Sequence, residues 1–265
     1  VFENLLLQSF IALILVTIST SLIGVFVVWN RISYFGDALS HATMLGLGIG
    51  AAFNLNPNIS LVIFAIFFAA VTLKNQQNQS LGKDATTMIA SYLSIALAMV
   101  FSDIKSSDLD FSSFVFGDLL SAGTYEISAL AILASVCAIF VTLAKNKIAL
   151  INLNRDLAQI SGIKVKFWEL SFFVITAVAT ALSTQIVGIF LTTSLMIIPS
   201  AISRQLSNSI NKMMLISLIS GVACAFLSLV LAEKTNISAT PLITIILCAA
   251  LFFILIAQSL RKKFS

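Results

Sequence analysis

Long apolar runs separated by short polar stretches set the pattern of this chain. They give nine candidate spans: 5–29, 37–53, 58–74, 85–102, 126–144, 167–184, 186–203, 211–231 and 239–258. Each approaches the roughly 20 apolar residues that carry a helix across a bilayer. Only a short break at Ser183–Gln185 parts the two spans inside 167–203, so eight is the alternative count. Alternating segments of about ten residues, the mark of a transmembrane barrel, are missing. The pattern predicts an all-α fold, a polytopic membrane bundle of eight or nine transmembrane helices. No Gly- or Pro-rich linker divides residues 1–265, so they read as a single transmembrane domain. The stretch 111–122 is too short to span and reads as a re-entrant or surface helix. The first run has Glu3 where a signal peptide would be basic, and its apolar length exceeds that of a signal core. It reads as a true first span.

Composition agrees. The chain is 59% hydrophobic and 10% charged, against about 25% charged in ordinary globular domains. Mean hydropathy is +1.05. Cytoplasmic loops of membrane proteins carry an excess of Lys and Arg. With nine spans and the C-terminus inside, thirteen of the 15 basic residues fall on the cytoplasmic side and only Lys105 and Lys234 outside. The N-terminus is then outside. Topology accounts for the basic pI, and no nucleic-acid partner is required. Glu3, Asp103, Asp108, Asp110, Asp118, Glu126 and Glu233 lie on or near the outer side. They read either as ordinary solvated loops or as a mildly anionic mouth that attracts cations or docks a partner. The polar stretch 74–84 reads as a cytoplasmic connection. Cys137, Cys224 and Cys248 sit inside apolar runs without CxxC spacing and read as packing residues.

Asp37 and His41, the one histidine of the chain, stand four residues apart in an apolar run. On a helix they project from one face, a turn apart. A carboxylate and an imidazole so placed can share a divalent transition metal. Ionisable groups inside a membrane are costly and face a cavity or the bundle interior. The alternative is structural: Asp37 caps a helix that starts after Gly36, and His41 is a hydrogen-bonded interior residue. Ala38, Ala42, Gly46 and Gly50 form a small-residue stripe on the same helix, ending in a GxxxG that lets another helix approach. The stripe neighbours the Asp37/His41 face, which predicts that the pair points towards a helix interface. "FGDAL" at 35–39 is echoed by "FGDLL" at 116–120.

The basic loop 152–166 predicts a short amphipathic helix. Asn154 or Asp156 can cap it, Leu153, Leu157 and Ile160 form its apolar stripe, and Gly162 suits the residue after its end. It either rests on lipid or docks a cytoplasmic partner. In "VGIFLTTSLMIIPSAISRQL" (187–206), Pro199 frees the carbonyl of Leu195, which a neighbour or a Ser/Thr hydroxyl must satisfy. "SLGKDATT" (80–87) lacks the upstream Gly and the Ser/Thr after Lys of a P-loop, and GxSxG and HExxH are absent. The chain reads as a non-enzyme.

Four segments carry a family resemblance: "VVWNRISYFGDALSHATMLGLGIG" (27–50), "FVFGDLLSA" (114–122), "RDLAQISGIKV" (155–165) and "VGIFLTTSLMIIPSAISRQ" (187–205). In this order they resemble the permease subunits of bacterial ABC importers for zinc, manganese or iron, most closely the zinc branch, over essentially the whole chain. The resemblance implies a homodimer in the bacterial cytoplasmic membrane. It also implies two ATP-binding subunits on the cytoplasmic face and a solute-binding protein that delivers the ion from outside. It makes 153–164, with Leu153, Arg155, Asp156, Leu157, Ile160 and Gly162, the coupling helix that contacts the ATPase, and it puts Asp37 and His41 on the metal path. The metal is cargo, with no permanently bound cofactor, and zinc is the expected ion. Manganese or iron is the alternative within the family. A transit site must release its ion, so a few ligands per subunit suffice. Two rivals remain at this point. One is a proton- or sodium-coupled secondary transporter with Asp37/His41 as a proton relay. The other is a structural subunit in which Asp37 only caps a helix.

Overall fold

The computed structural model describes residues 2–75, 83–105, 111–117, 122–235 and 237–263. Among them are ten helices: α1 (Phe2–Trp29), α2 (Ser33–Ala52), α3 (Pro57–Asn75), α4 (Lys83–Lys105), α5 (Phe111–Phe116), α6 (Thr124–Leu153), α7 (Arg155–Ile160), α8 (Val165–Leu206), α9 (Ile210–Thr235) and α10 (Ala239–Lys263). Seven of these, α1, α3, α4, α6, α8, α9 and α10, are long and apolar enough to cross a membrane. The seven do not include α2.

The 42 residues of α8 are not one straight rod. Gly188 has φ 80° and ψ 166°, far from helical values. The Phe172 ring lies 6.4 Å from that of Phe26, and Arg204 donates from Nη1 to the carbonyl of Val28 at 2.8 Å. A straight helix would hold Phe172 and Arg204 about 48 Å apart, yet both reach the same end of α1. Midway between them, Gln185 bonds Asn58 at the start of α3. The chain therefore turns back at Gly188, and α8 is a hairpin of two limbs, 165–187 and 189–206. Counting both limbs gives eight candidate passes among the described residues, and counting α2 as well gives nine, the two alternatives of the sequence pattern. The break lies three residues beyond the Ser183–Gln185 stretch that the sequence pattern suggested. The pattern missed it because a single glycine reverses the chain while its flanks stay apolar.

The turn is locked by backbone contact. Gly117, just after α5, has φ 75°, and a Cβ built on Gly188 would stand 2.4 Å from the Gly117 nitrogen. Neither position has room for a side chain, and both use a region of φ that glycine adopts freely. The six-residue α5 is held against the hairpin tip in this way; it is too short to span, as expected of 111–122, of which residues 118–121 lie outside the described residues.

The core is built round α1, which packs against α6, α8 and α9 with Leu13, Ile23 and Phe26 fully buried. Where α1, the second limb of α8 and α9 meet, the core is polar. Ser200 and Ser217 hydroxyls are 3.2 Å apart, and Ser217 donates to the carbonyl of Ser21 at 3.1 Å. Hydroxyls of this kind can satisfy one another and nearby carbonyls where no water reaches. Cys137 and Cys224 are buried in the packing and all three cysteines are free thiols.

Candidate functional site

Helix α2 starts at Ser33, with Ile32 at its N-cap and no side-chain cap. Asp37 is therefore its fifth residue and caps nothing, which removes the capping alternative. The expected span 37–53 begins four residues early because Ser33 and Tyr34 are polar at one edge yet helical.

Glycines let three neighbours come close to α2. Gly46 and Gly50 face Ser60 and Leu61 of α3, and the Ser60 hydroxyl donates to the Gly46 carbonyl at 2.5 Å. Gly48 faces Ala98 of α4, and Gly36 faces the Met196 side chain on the second limb of α8. The GxxxG pair thus packs on α3. At 3.6 residues per turn, Gly46 stands about half a turn around the helix from Asp37. The expected adjacency of stripe and pair is corrected: Asp37 and His41 lie on the opposite face, which stays partly open in the single chain.

Asp37 is 47% exposed and His41 25%. Their height follows from the next residues. The Phe35 ring lies 4.5 Å from that of Phe173, and Gly36 abuts Met196. Phe173 is about 12 Å inside the first limb and Met196 about 15 Å inside the second. The pair therefore lies well inside the bundle, away from the ends of both limbs.

His41 Nε2 is 3.5 Å from Asp37 Oδ2. That is too long for a charge-assisted hydrogen bond, which closes to about 2.8 Å. It does match two donors of one tetrahedral ion, since ligands about 2.1 Å from a zinc stand roughly 3.4 Å apart. His41 Nδ1 is buried and has no partner among the described residues. Permanent metal sites commonly anchor that second nitrogen, and here no hydrogen bond among the described residues does so. No group of three or more His, Cys, Asp or Glu able to hold a metal occurs among the described residues. One chain thus brings two donors to the open face of α2. Among the described outer acids, Glu126 accepts from the Gly123 N–H at 3.1 Å and caps α6, and Asp103 and Glu233 are exposed; Asp108, Asp110 and Asp118 lie outside the described residues.

At the far end of the bundle, the expected amphipathic helix is α7. Asn154, not Asp156, is its cap, with its side-chain oxygen accepting from the Leu157 N–H at 3.0 Å. Ala158 is buried against Ile151 and Val165. Arg155 pairs with Glu169 at 2.9 Å, which ties α7 to the first limb of α8. Gly162 takes φ 77° just past the helix, with open space round its Cα. Leu153, Leu157 and Ile160 are all exposed, Ile160 by 85%. They form an apolar ridge standing out from a basic end of the molecule, where Lys147 also lies over the Trp168 ring at 4.1 Å. Sequence reasoning found both segments. It did not find that Phe173 and Met196 set the height of Asp37, because those contacts join residues more than 130 positions apart.

The chain and its helical bundle are similar to known proteins. The model of the ABC 3 transport family matches residues 3–258. The high-affinity zinc uptake system membrane protein ZnuB of Buchnera aphidicola from Acyrthosiphon pisum is 30% identical over 98% of this chain and 99% of its own length. The manganese import system permease protein ScaB of Streptococcus pneumoniae is 26% identical over 98% and 93%. Among solved structures, PsaBC from Streptococcus pneumoniae in complex with Fab shares the fold at a TM-score of 0.83, with 21% identity over 94% of this chain and 90% of that one. With nearly every residue inside the family match and the helical bundle shared, this chain belongs to the ABC 3 transport family.

Proposed function

We propose that this chain is the membrane permease of an ABC importer that carries zinc into the cytoplasm. The observation that carries the reading is the Asp37/His41 pair, spaced for one ion and left open inside the bundle in a chain that is similar along its whole length to zinc permeases. The relatives named for zinc reach 32% identity and those named for manganese 26%, which favours zinc. A second copy of the chain would face its own Asp37 and His41 across the same path, giving two carboxylates and two imidazoles. Such a site orders an ion only while both copies are apposed and releases it when they part.

The remaining parts follow. A solute-binding protein would deliver the ion on the outer side. ATP-binding subunits would hold the ridge Leu153, Leu157 and Ile160 on the cytoplasmic side. This requires the orientation expected from the basic residues, C-terminus inside and N-terminus outside. ATP-driven motion would enter through α7 and reach α8 through the Arg155–Glu169 pair.

The test is zinc uptake in cells lacking their own importer, with this chain co-expressed with its ATPase and binding protein. Asp37→Asn and His41→Ala, at matched membrane levels, are expected to abolish uptake while the ATPase still co-purifies. Normal uptake in both variants would remove the pair from the path. Uptake of manganese but not zinc by the wild type would reassign the cargo.

A further inference from the structure

The cytoplasmic end of the bundle holds a polar cleft of about 540 Å³ between the α1–α2 turn, the α6–α7 junction and the residues after α8. Arg31 and Arg204 both line it, with Asn30, Asn152 and Asn208 beside them, and among the described residues no Asp or Glu does. The two guanidiniums differ in role. Arg204 donates from Nη1 to the Val28 carbonyl, which also accepts the Arg31 N–H at 3.3 Å, so its head is fixed at the wall. Arg31 is exposed, and its guanidinium makes no ion pair or hydrogen bond among the described residues. Its backbone has φ 56°, a region that glycine occupies freely and that disfavours other residues. A strained arginine aimed into a cleft without a counter-charge points to a ligand that supplies one.

The cleft also has a neighbour. Leu153 lines it and is the first residue of the exposed ridge continued by Leu157 and Ile160. Cleft and ridge form one surface, apolar on one side and cationic on the other. We propose that Arg31 and Arg204 receive a carboxylate of the ATP-binding subunit, making the α1–α2 turn a second coupling contact beside α7. This rests on the reading of α7 as the ATPase contact and deepens it. Guanidinium groups bind carboxylates through two parallel hydrogen bonds, and Asn152, which donates to Asn30, keeps the far wall polar. The placement matters for transport. Arg31 is six residues before Asp37, and Ile32 and Ser33 lead straight into α2. A pull on Arg31 therefore reaches the metal helix directly, without passing through α7 and α8.

The experiment measures binding of the ATP-binding subunit to the full-length permease in phosphatidylcholine nanodiscs, over a range of NaCl concentrations. Arg31→Gln is expected to weaken binding about tenfold at low salt, the size of one well-placed charge pair, and to flatten the salt dependence. Arg31→Gly relieves the left-handed backbone, so it should melt no lower than the wild type yet bind as weakly as Arg31→Gln. Leu157→Ser/Ile160→Ser is the comparison for the α7 contact. If that variant loses binding while Arg31→Gln binds like the wild type at every salt concentration, the second contact is overturned and α7 stands. If the wild type itself does not bind the ATP-binding subunit, both readings fall. Should Arg31→Gln instead lose a phosphatidylglycerol retained by the wild type, with ATPase binding unchanged, the cleft is a lipid headgroup site and the proposal is wrong.

Discussion

Ser21 donates its hydroxyl to the carbonyl of Leu195 at 3.5 Å, across the contact of α1 with the second limb of α8. Leu195 is the residue whose carbonyl loses its helical N–H to Pro199. The neighbouring hydroxyl that the sequence called for is thus present. Replacing Ser21 by Ala leaves this buried carbonyl without its donor, at a cost of about 1 kcal/mol. Pro199→Ala restores an N–H to the helix, so the same Ser21→Ala change should then cost less. Thermal melts of the four detergent-solubilised proteins measure the coupling. Equal costs in both backgrounds would show that Ser21 does not serve the proline break.

Gly117 and Gly188 should tolerate no other residue. Alanine at either puts a Cβ within 2.5 Å of backbone atoms of the other segment, at a φ that disfavours it. Each change should lower the melting temperature and membrane yield markedly, by more than the roughly 1 kcal/mol of the φ penalty alone. Gly162 is the control, because it shares the positive φ but has open space around it. Gly162→Ala should cost about 1 kcal/mol and Gly162→Asn less.

The cap of α7 can be separated from its ridge. Asn154→Ala removes the acceptor for the Leu157 N–H and should destabilise this short helix by about 1 kcal/mol, whereas Asn154→Asp should preserve it. Hydrogen exchange at Leu157 reads the difference. In the proposed complex, Asn154→Ala lowers the coupling of ATP hydrolysis to uptake and leaves zinc binding at Asp37/His41 alone.

Zinc binding to the proposed transit site has a signature without transport. At about a hundred times its dissociation constant, a ligand of the native state stabilises it by ~2.7 kcal/mol. Zinc should raise the melting temperature of the purified protein, and chelation should reverse the rise. Asp37→Asn and His41→Ala should remove the shift. A shift of full size in both variants would place the ion elsewhere.

Much of this was visible in the chain itself, for physical reasons. Apolar length marks a span almost without context, so the long helices were legible. The i, i+4 spacing of Asp37 and His41 fixes their shared face on any helix, and Asn154 with Gly162 brackets α7 by local hydrogen bonding and φ alone. The turn at Gly188 was displaced because its cause is a backbone contact with Gly117, 71 residues away. The face occupied by Gly46 and Gly50 was misjudged because only the position of Ser60 decides which neighbour a glycine stripe meets. The Arg31/Arg204 cleft left no trace in sequence, since its walls come from positions separated by more than 170 residues.

Helix α2 has hydrogen atoms at Gly36, Gly46, Gly48 and Gly50 where helices usually carry interlocking side chains. Interlocked ridges resist a helix sliding along its axis, since each knob must climb out of its groove. At those four positions α2 lacks that detent, and its buried knobs, Phe35 and Leu39, lie elsewhere along the helix. On the glycine side the Ser60 hydroxyl bonds the Gly46 carbonyl, and at the Gly36 end the helix bears on the flexible thioether of Met196. On this side α2 meets α3, α4 and the second limb of α8 through close backbone approach and a pliable thioether, so its seat there is set by how near the chains can come and not by knobs held in grooves.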